Sequence, residues 1–173
     1  MVGRFQPLHY GHLHCFRYVL ERADEMVIGI GSSQYSHTFR NPLDVGERME
    51  MIVRALRDEN FPLRKISLVP IPDTERDDED WGEIVLDRVP RIDIAFSNDP
   101  ETMKDLRAVG IKVEGIPFYR REDFSATRIR TLILKGDPLW RDLVPPSVLR
   151  FLDELNFEER IKRIGFSNSK RTP

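Results

Sequence analysis

Two histidines three positions apart near the amino terminus, His9 and His12 in H-Y-G-H, put a pair of imidazoles on one turn of chain. They belong to residues 2–12, VGRFQPLHYGH. If a strand delivers Gly3 and Arg4 to the carboxyl edge of a parallel sheet, the segment lies where open α/β folds bind ligands. Gly3 lets backbone approach a ligand closely, Pro7 ends the extended run, and Gly11 permits a tight entry into the next helix. The free N–H groups and positive dipole end of that helix favour an anion. Imidazole N–H groups there add donors to a phosphate whose charge grows in a transition state. One histidine in such a place is more simply a surface residue or a cap. Two of the chain's four, in one unit beside G-R-F, favour phosphate chemistry.

A second cluster is FSATRIR at 124–130. If a helix starts after Ser125, with Ser125 as N-cap, a rotation of about 100° per residue sorts the side chains. Ile129, Leu132 and Ile133 form the buried stripe. Thr127 and Arg130 fall about 60° apart on one flank, and Arg128 falls on the other. A hydroxyl beside a guanidinium at a helix start is a sound phosphate clamp. Taken alone, the same residues read equally well as a capped amphipathic helix with solvated arginines.

The elements that must position these clusters alternate. Residues 26–31 (MVIGIG), 66–70 (ISLVP), 92–96 (IDIAF) and 111–116 (IKVEGI) read as strands, joined by a first one ending at Gly3. Their continuous apolarity suits parallel strands covered on both faces. Helical spacing marks 13–22, 44–57, 81–89 and 100–109, with Asp44 and Glu47 spaced as a capping box. The rhythm predicts an α/β doubly wound parallel sheet of about five strands. A C-terminal helical extension follows: 125–135 with Gly136 to stop it, then 147–155 and 157–164, and a frayed polar tail at 167–173.

H-Y-G-H followed about a hundred residues later by S-A-T-R-I-R resembles the HxGH nucleotidylyltransferase superfamily. Within it, GRFQPLHYGH, IGSSQYSH (30–37), NPLDVGER (41–48) and the Asp80-Trp81 pair resemble archaeal nicotinamide mononucleotide adenylyltransferases, over residues 2 to about 164. That resemblance implies a Rossmann-like fold and in-line attack of a substrate phosphate on the α-phosphorus of ATP, yielding NAD and pyrophosphate with no covalent enzyme intermediate. It assigns His9, His12 and Arg130 to catalysis, His12 nearest the α-phosphate. Gly3, Arg4, Phe5, Ser125, Thr127 and Asn98 are expected to bind ATP, and Arg48, one of the residues expected for nicotinamide mononucleotide, a substrate phosphate. Trp81, Asp80, Ser33 and Gln34 are expected around the nicotinamide mononucleotide. A pyridinium ring stacks well on indole, although Trp81 also fits simple helix packing. Polar turn residues such as Ser33, Gln34 and Asn98 commonly serve only the turn. A divalent cation, Mg²⁺, would arrive coordinated by ATP and water, since the chain shows no carboxylate cage and so no metal site of its own. The resemblance also implies a homo-oligomer. The chain departs from it at its start, MVGRF, where relatives carry several more residues before the motif glycine. Either the true start lies upstream or the central strand is unusually short, and a strand cut this short is expected to loosen the edge that presents Arg4 and His9.

Composition bounds the rest. A length of 173 residues predicts one domain: a core over about 1–120, the clamp helix and C-terminal helices over about 121–165, and the tail. A net charge of -2 offers no overall basic field for nucleic acid. The lone Cys15 excludes an internal disulfide. No run of about 18 apolar residues could span a membrane, and no export signal opens the chain, so a cytoplasmic protein is expected. The alternatives are an enzyme adenylylating or cytidylylating another phosphate, such as flavin mononucleotide or phosphopantetheine, and a catalytically idle nucleotide-binding regulatory module. A synthetase-like relation to tRNA is disfavoured by the charge and by the lack of an anticodon-binding extension.

Overall fold

The computed structural model describes residues 1–169 apart from 77, 118, 119 and 121, with side chains as far as residue 165. Strand β2 (Met26–Ile30) lies in the middle of a three-stranded parallel sheet. On one side β1 (Val2–Gly3) pairs with it, Val2 opposite Gly29; on the other β3 (Ile66–Pro70) pairs over its whole length. The apolar run of β2 is explained by burial, since Met26, Ile28 and Ile30 are all in the core. A second parallel pair joins β4 (Ala95–Phe96) and β5 (Val113–Glu114).

All five expected strands are therefore present and parallel, but they are hydrogen bonded as three plus two. Side chains bridge the two parts: Val2 packs into a small apolar cluster containing Ala95 and Val113. Backbone bonds do not, because a cavity of about 450 Å³ lies there, lined by Met1, Val2, Val27, Ile94 and Ala95 among others. Of the predicted strand at 92–96, only the last two residues are strand.

Helix α1 (Tyr10–Leu20) follows β1. It starts before the predicted residue 13 because His9 takes the N-cap place. Helix α2 (Val45–Asp58) carries the expected capping box, Asp44 accepting from the Glu47 N–H and Glu47 from the Asp44 N–H. Helices α3 (Trp81–Arg88) and α4 (Pro100–Ala108) complete the crossovers. Then come α5 (Ala126–Leu134), a 3₁₀ segment at Pro138–Leu143, α6 (Pro146–Glu154) and α7 (Phe157–Ser169). Gly136 ends α5 at a φ of 68°, the left-handed conformation that glycine adopts without strain. The expected fraying at 167–169 is corrected to helix, and 170–173 lie outside the described residues. Helix α6 packs on α2, and α7 on α5. Arg160 of α7 grips Glu47 with two bonds of 2.6 and 2.8 Å, which fixes the start of α2. Among the described residues no helix is long and apolar enough to cross a membrane.

Candidate active site

The first motif is shaped by what two glycines leave room for. A Cβ on Gly3 would stand 2.8 Å from Cζ of Phe5, whose backbone has a φ of 51° and whose ring folds back over the glycine. A Cβ on Gly11 would stand 3.0 Å from Nδ1 of His9 and 3.1 Å from Cβ of Phe124. With neither present, the His9 ring lies over the first turn of α1 and stacks on His12, centroids 3.7 Å apart and planes 21° apart. The edge of Phe5 supports His12 from below, centroids 4.8 Å apart. The backbone N–H of His9 donates to Nδ1 of His12 at 3.3 Å. That nitrogen must then be unprotonated, so the proton of neutral His12 sits on Nε2 as a donor. Burial pushes His9 down to about 3, and burial plus the His9 charge hold His12 well below the usual imidazole range. Both rings are neutral near pH 7.

The second motif meets the first head-on. Arg130 of α5 donates from Nη1 to the carbonyl of Gln6 at 2.7 Å and from Nη2 to Oγ1 of Thr127 at 3.2 Å. Ser125 caps α5 by accepting from the Arg128 N–H. The Arg128 guanidinium turns away, to the Glu122 carbonyl and the Asp123 carboxylate, as the helical rotation requires. Arg130 is lowered to about 10 by burial, then by Arg4 and Arg40; Arg4 is lowered by burial and by Arg40. Three cations thus crowd one place. Nη1 of Arg4, Nε of Arg130 and Nδ1 of His9 are buried without a hydrogen-bond partner among the described residues. Two buried guanidinium donors left open amid converging positive charge suit a polyanion.

Arg40 is the residue that motif reading missed. It is exposed in the connection between β2 and α2, in no recognisable clamp pattern. The available signal was its position on a loop leaving the same sheet edge.

Most of the other expected residues make bonds within the protein. Arg48 is fully buried, and its guanidinium donates to the carbonyls of Asp44, Arg4, Gly31 and Ser32. Its geometry is that of a tie between the β1 and β2 ends rather than a phosphate ligand. The Phe5 side chain is core, at 1% exposure. The Asn98 amide exchanges two bonds with the backbone of Ile116, joining the loops after β4 and β5. Asp80 caps α3 by accepting from Gly82. Ser33 donates its N–H to the Ile71 carbonyl, and the Gln34 amide exchanges two bonds with the backbone of Asp73. The half-buried Trp81 opens α3 and donates its indole N–H to the Pro72 carbonyl at 3.1 Å. Among the described residues no cluster of three or more acids, histidines or cysteines could hold a metal. The donors present match phosphate oxygens.

Known proteins are similar to this chain in sequence and in fold. Residues 1–132 match the cytidylyltransferase-like family. The chain is 40% identical over 164 residues, 95% of its length and 86% of the other's, to the nicotinamide-nucleotide adenylyltransferase of Thermococcus kodakarensis. It is 39% identical over 162 residues to the enzyme of that name from Saccharolobus solfataricus, covering 94% of this chain and 93% of that one. In fold it is similar to a bifunctional NMN adenylyltransferase/ADP ribose pyrophosphatase from Francisella tularensis, complexed with AMP and an Mn ion, at a TM-score of 0.75 and 20% identity. That likeness covers 98% of this chain but about half, 52%, of the longer one. The chain therefore belongs to the cytidylyltransferase-like family and, within it, to the nicotinamide-nucleotide adenylyltransferases.

Proposed function

We propose that this chain transfers the adenylyl group of ATP to nicotinamide mononucleotide, forming NAD and releasing pyrophosphate. The observation that carries the reading is the pair of open buried guanidinium donors on Arg4 and Arg130, crowded by Arg40 and lying beside the stacked histidines, where Nδ1 of His9 is also unpartnered. An oxygen of the mononucleotide phosphate attacks the α-phosphorus, and the bond to the bridging oxygen of pyrophosphate breaks in line. No side chain is needed as a nucleophile. The protein's contribution is position and charge. The Nε2–H of His12 meets a phosphate oxygen at the reacting centre, while His9, Arg4, Arg40, Arg130 and Thr127 hold the triphosphate. Gly3, the Phe5 backbone and Ser125 border the nucleotide. Mg²⁺ enters with ATP as part of the substrate and shields the departing pyrophosphate.

The exposed part of Trp81 serves as platform for the pyridinium ring, with Asp80 fixing the helix start beneath it. Assembly of several copies is a further part of this reading, open to a sedimentation measurement.

The decisive experiment measures pyrophosphate release from ATP and magnesium with nicotinamide mononucleotide, flavin mononucleotide and phosphopantetheine as separate acceptors. Turnover with the first alone is expected. Turnover with another would move the chain to a different acceptor and remove the argument from Trp81. Binding of ATP without turnover on any of them would make it a regulatory module. Trp81→Ala is expected to raise KM for the mononucleotide about tenfold with KM for ATP little changed, the scale of a desolvated cation–π contact.

A further inference from the structure

Residues 71–73 run beyond the end of β3, and each of their backbone donors and acceptors is taken. Ile71 donates to the Ile30 carbonyl and accepts from the Ser33 N–H. Pro72 has no N–H, and its carbonyl accepts from the indole of Trp81. Asp73 donates its N–H to Oε1 of Gln34 and accepts from Nε2 of Gln34, both at 3.0 Å. Its carboxylate accepts from Oγ of Ser32 at 2.8 Å. The β2–β3 ladder ends at Ile30 opposite Pro70, and the proline at 72 prevents its regular continuation. The Gln34 side chain supplies the missing rung, pairing with Asp73 as a neighbouring peptide would.

The strap fixed in this way is what the indole of Trp81 is bonded to. Its inner end is anchored by backbone on Ile30 and Ser33, its outer end by two side chains, Ser32 and Gln34. Between the anchors lies the Pro72 carbonyl, whose direction sets the plane in which the indole N–H must lie.

We propose that Gln34 is a positioning residue for the acceptor nucleotide, acting through Asp73 and Pro72 to hold the ring of Trp81 in place. The proposal rests on the reading of Trp81 as the platform for the pyridinium ring. Gln34 itself has both amide atoms engaged within the protein and needs no contact with the ligand. An exposed glutamine at the mouth of the site becomes a determinant of acceptor affinity one residue removed.

Gln34→Met keeps the length of the side chain and removes both bonds, and at an exposed position it leaves folding intact. Two readouts decide. The first is acrylamide quenching of tryptophan fluorescence without ligand. Of the chain's two tryptophans, Trp140 is buried at 1% exposure, so quenching reports on Trp81. The second is KM for each substrate. Expected is increased quenching of the ligand-free variant, together with KM for nicotinamide mononucleotide raised about three- to tenfold and KM for ATP unmoved, the effect of losing ordinary hydrogen bonds. In a Trp81→Ala background the same substitution should add nothing further to KM. Unchanged quenching with a raised KM would overturn the proposal and make Gln34 a direct ligand. Additive effects in the double variant would overturn it equally. Increased quenching with KM unmoved, when Trp81→Ala also leaves KM unmoved, would instead remove the platform reading beneath it. If Trp81→Ala alone raises KM, the platform stands and Gln34 does not set it.

Discussion

The two ends of the central sheet are built on opposite terms. At the carboxyl end, loops that could have moved independently are stapled in pairs by side-chain amides: Gln6 to Leu43, Gln34 to Asp73, Asn98 to Ile116, each giving and taking one bond with a single backbone residue. Arg48 adds ties to carbonyls from both β1 and β2. At the amino end the strands stand apart around the 450 Å³ cavity, and the Met1 ammonium is buried against the Val27 carbonyl at 2.8 Å. The edge that presents Arg4 and His9 is the tied one, through Gln6 and Arg48. Order is concentrated where open donors must be held against their own repulsion. The opposite end tolerates a void, which matters to stability and not to the reaction.

The largest test of this division falls on the reacting centre. His12→Ala is expected to lower kcat about 10²–10³-fold, because a preorganised donor is worth most in the transition state. ATP affinity should change far less, and a loss confined to KM would deny His12 its place. Next come two arginines that differ only in what they face. Arg48→Met should lower stability by about 3 kcal/mol in a denaturant titration, since several buried carbonyls lose their donor. Arg4→Met removes a buried N–H that has no partner, so stability should hold or rise while KM for ATP increases. If the stability loss and the ATP defect came out exchanged, Arg48 would be the phosphate ligand and Arg4 the tie.

That pair also marks the limit of what was legible in the sequence. Helix caps at Asp44, Ser125 and Gly136 were readable because each is a local pattern with one physical solution. The opposed flanks of Thr127–Arg130 and Arg128 followed from helical rotation alone. Arg48 and Arg40 were not separable in this way. Which of two nearby arginines turns inward depends on where the carbonyls of Gly31 and Ser32 end up, a tertiary fact that no spacing encodes. The Phe5 ring shows a similar limit: its neighbours in G-R-F suggest a ligand contact, while the ring itself fills the space that Gly3 leaves. The split of the sheet was invisible because β4 and β1 meet through side chains and a void, and apolar runs do not report hydrogen bonding.

The smallest effects separate the two ends by pH. Burial lowers the His9 imidazole to about 3. A cationic group whose folded pKa lies below its unfolded one binds more protons in the unfolded chain between those values. Stability therefore rises with pH from about 3 to 6.5 on account of His9; the contribution is complete above that window and lost below it. Melting curves from about pH 3.5 to 7.5 should show this slope, and His9→Phe, which keeps a buried ring without a titrating nitrogen, should flatten it. Val27→Ala, beside the cavity and away from the open donors, should lower Tm by a few degrees with the slope retained and kcat/KM for both substrates unchanged. If it altered kcat/KM instead, the two ends of the sheet would be mechanically coupled, and the void would be part of how the active site is tuned.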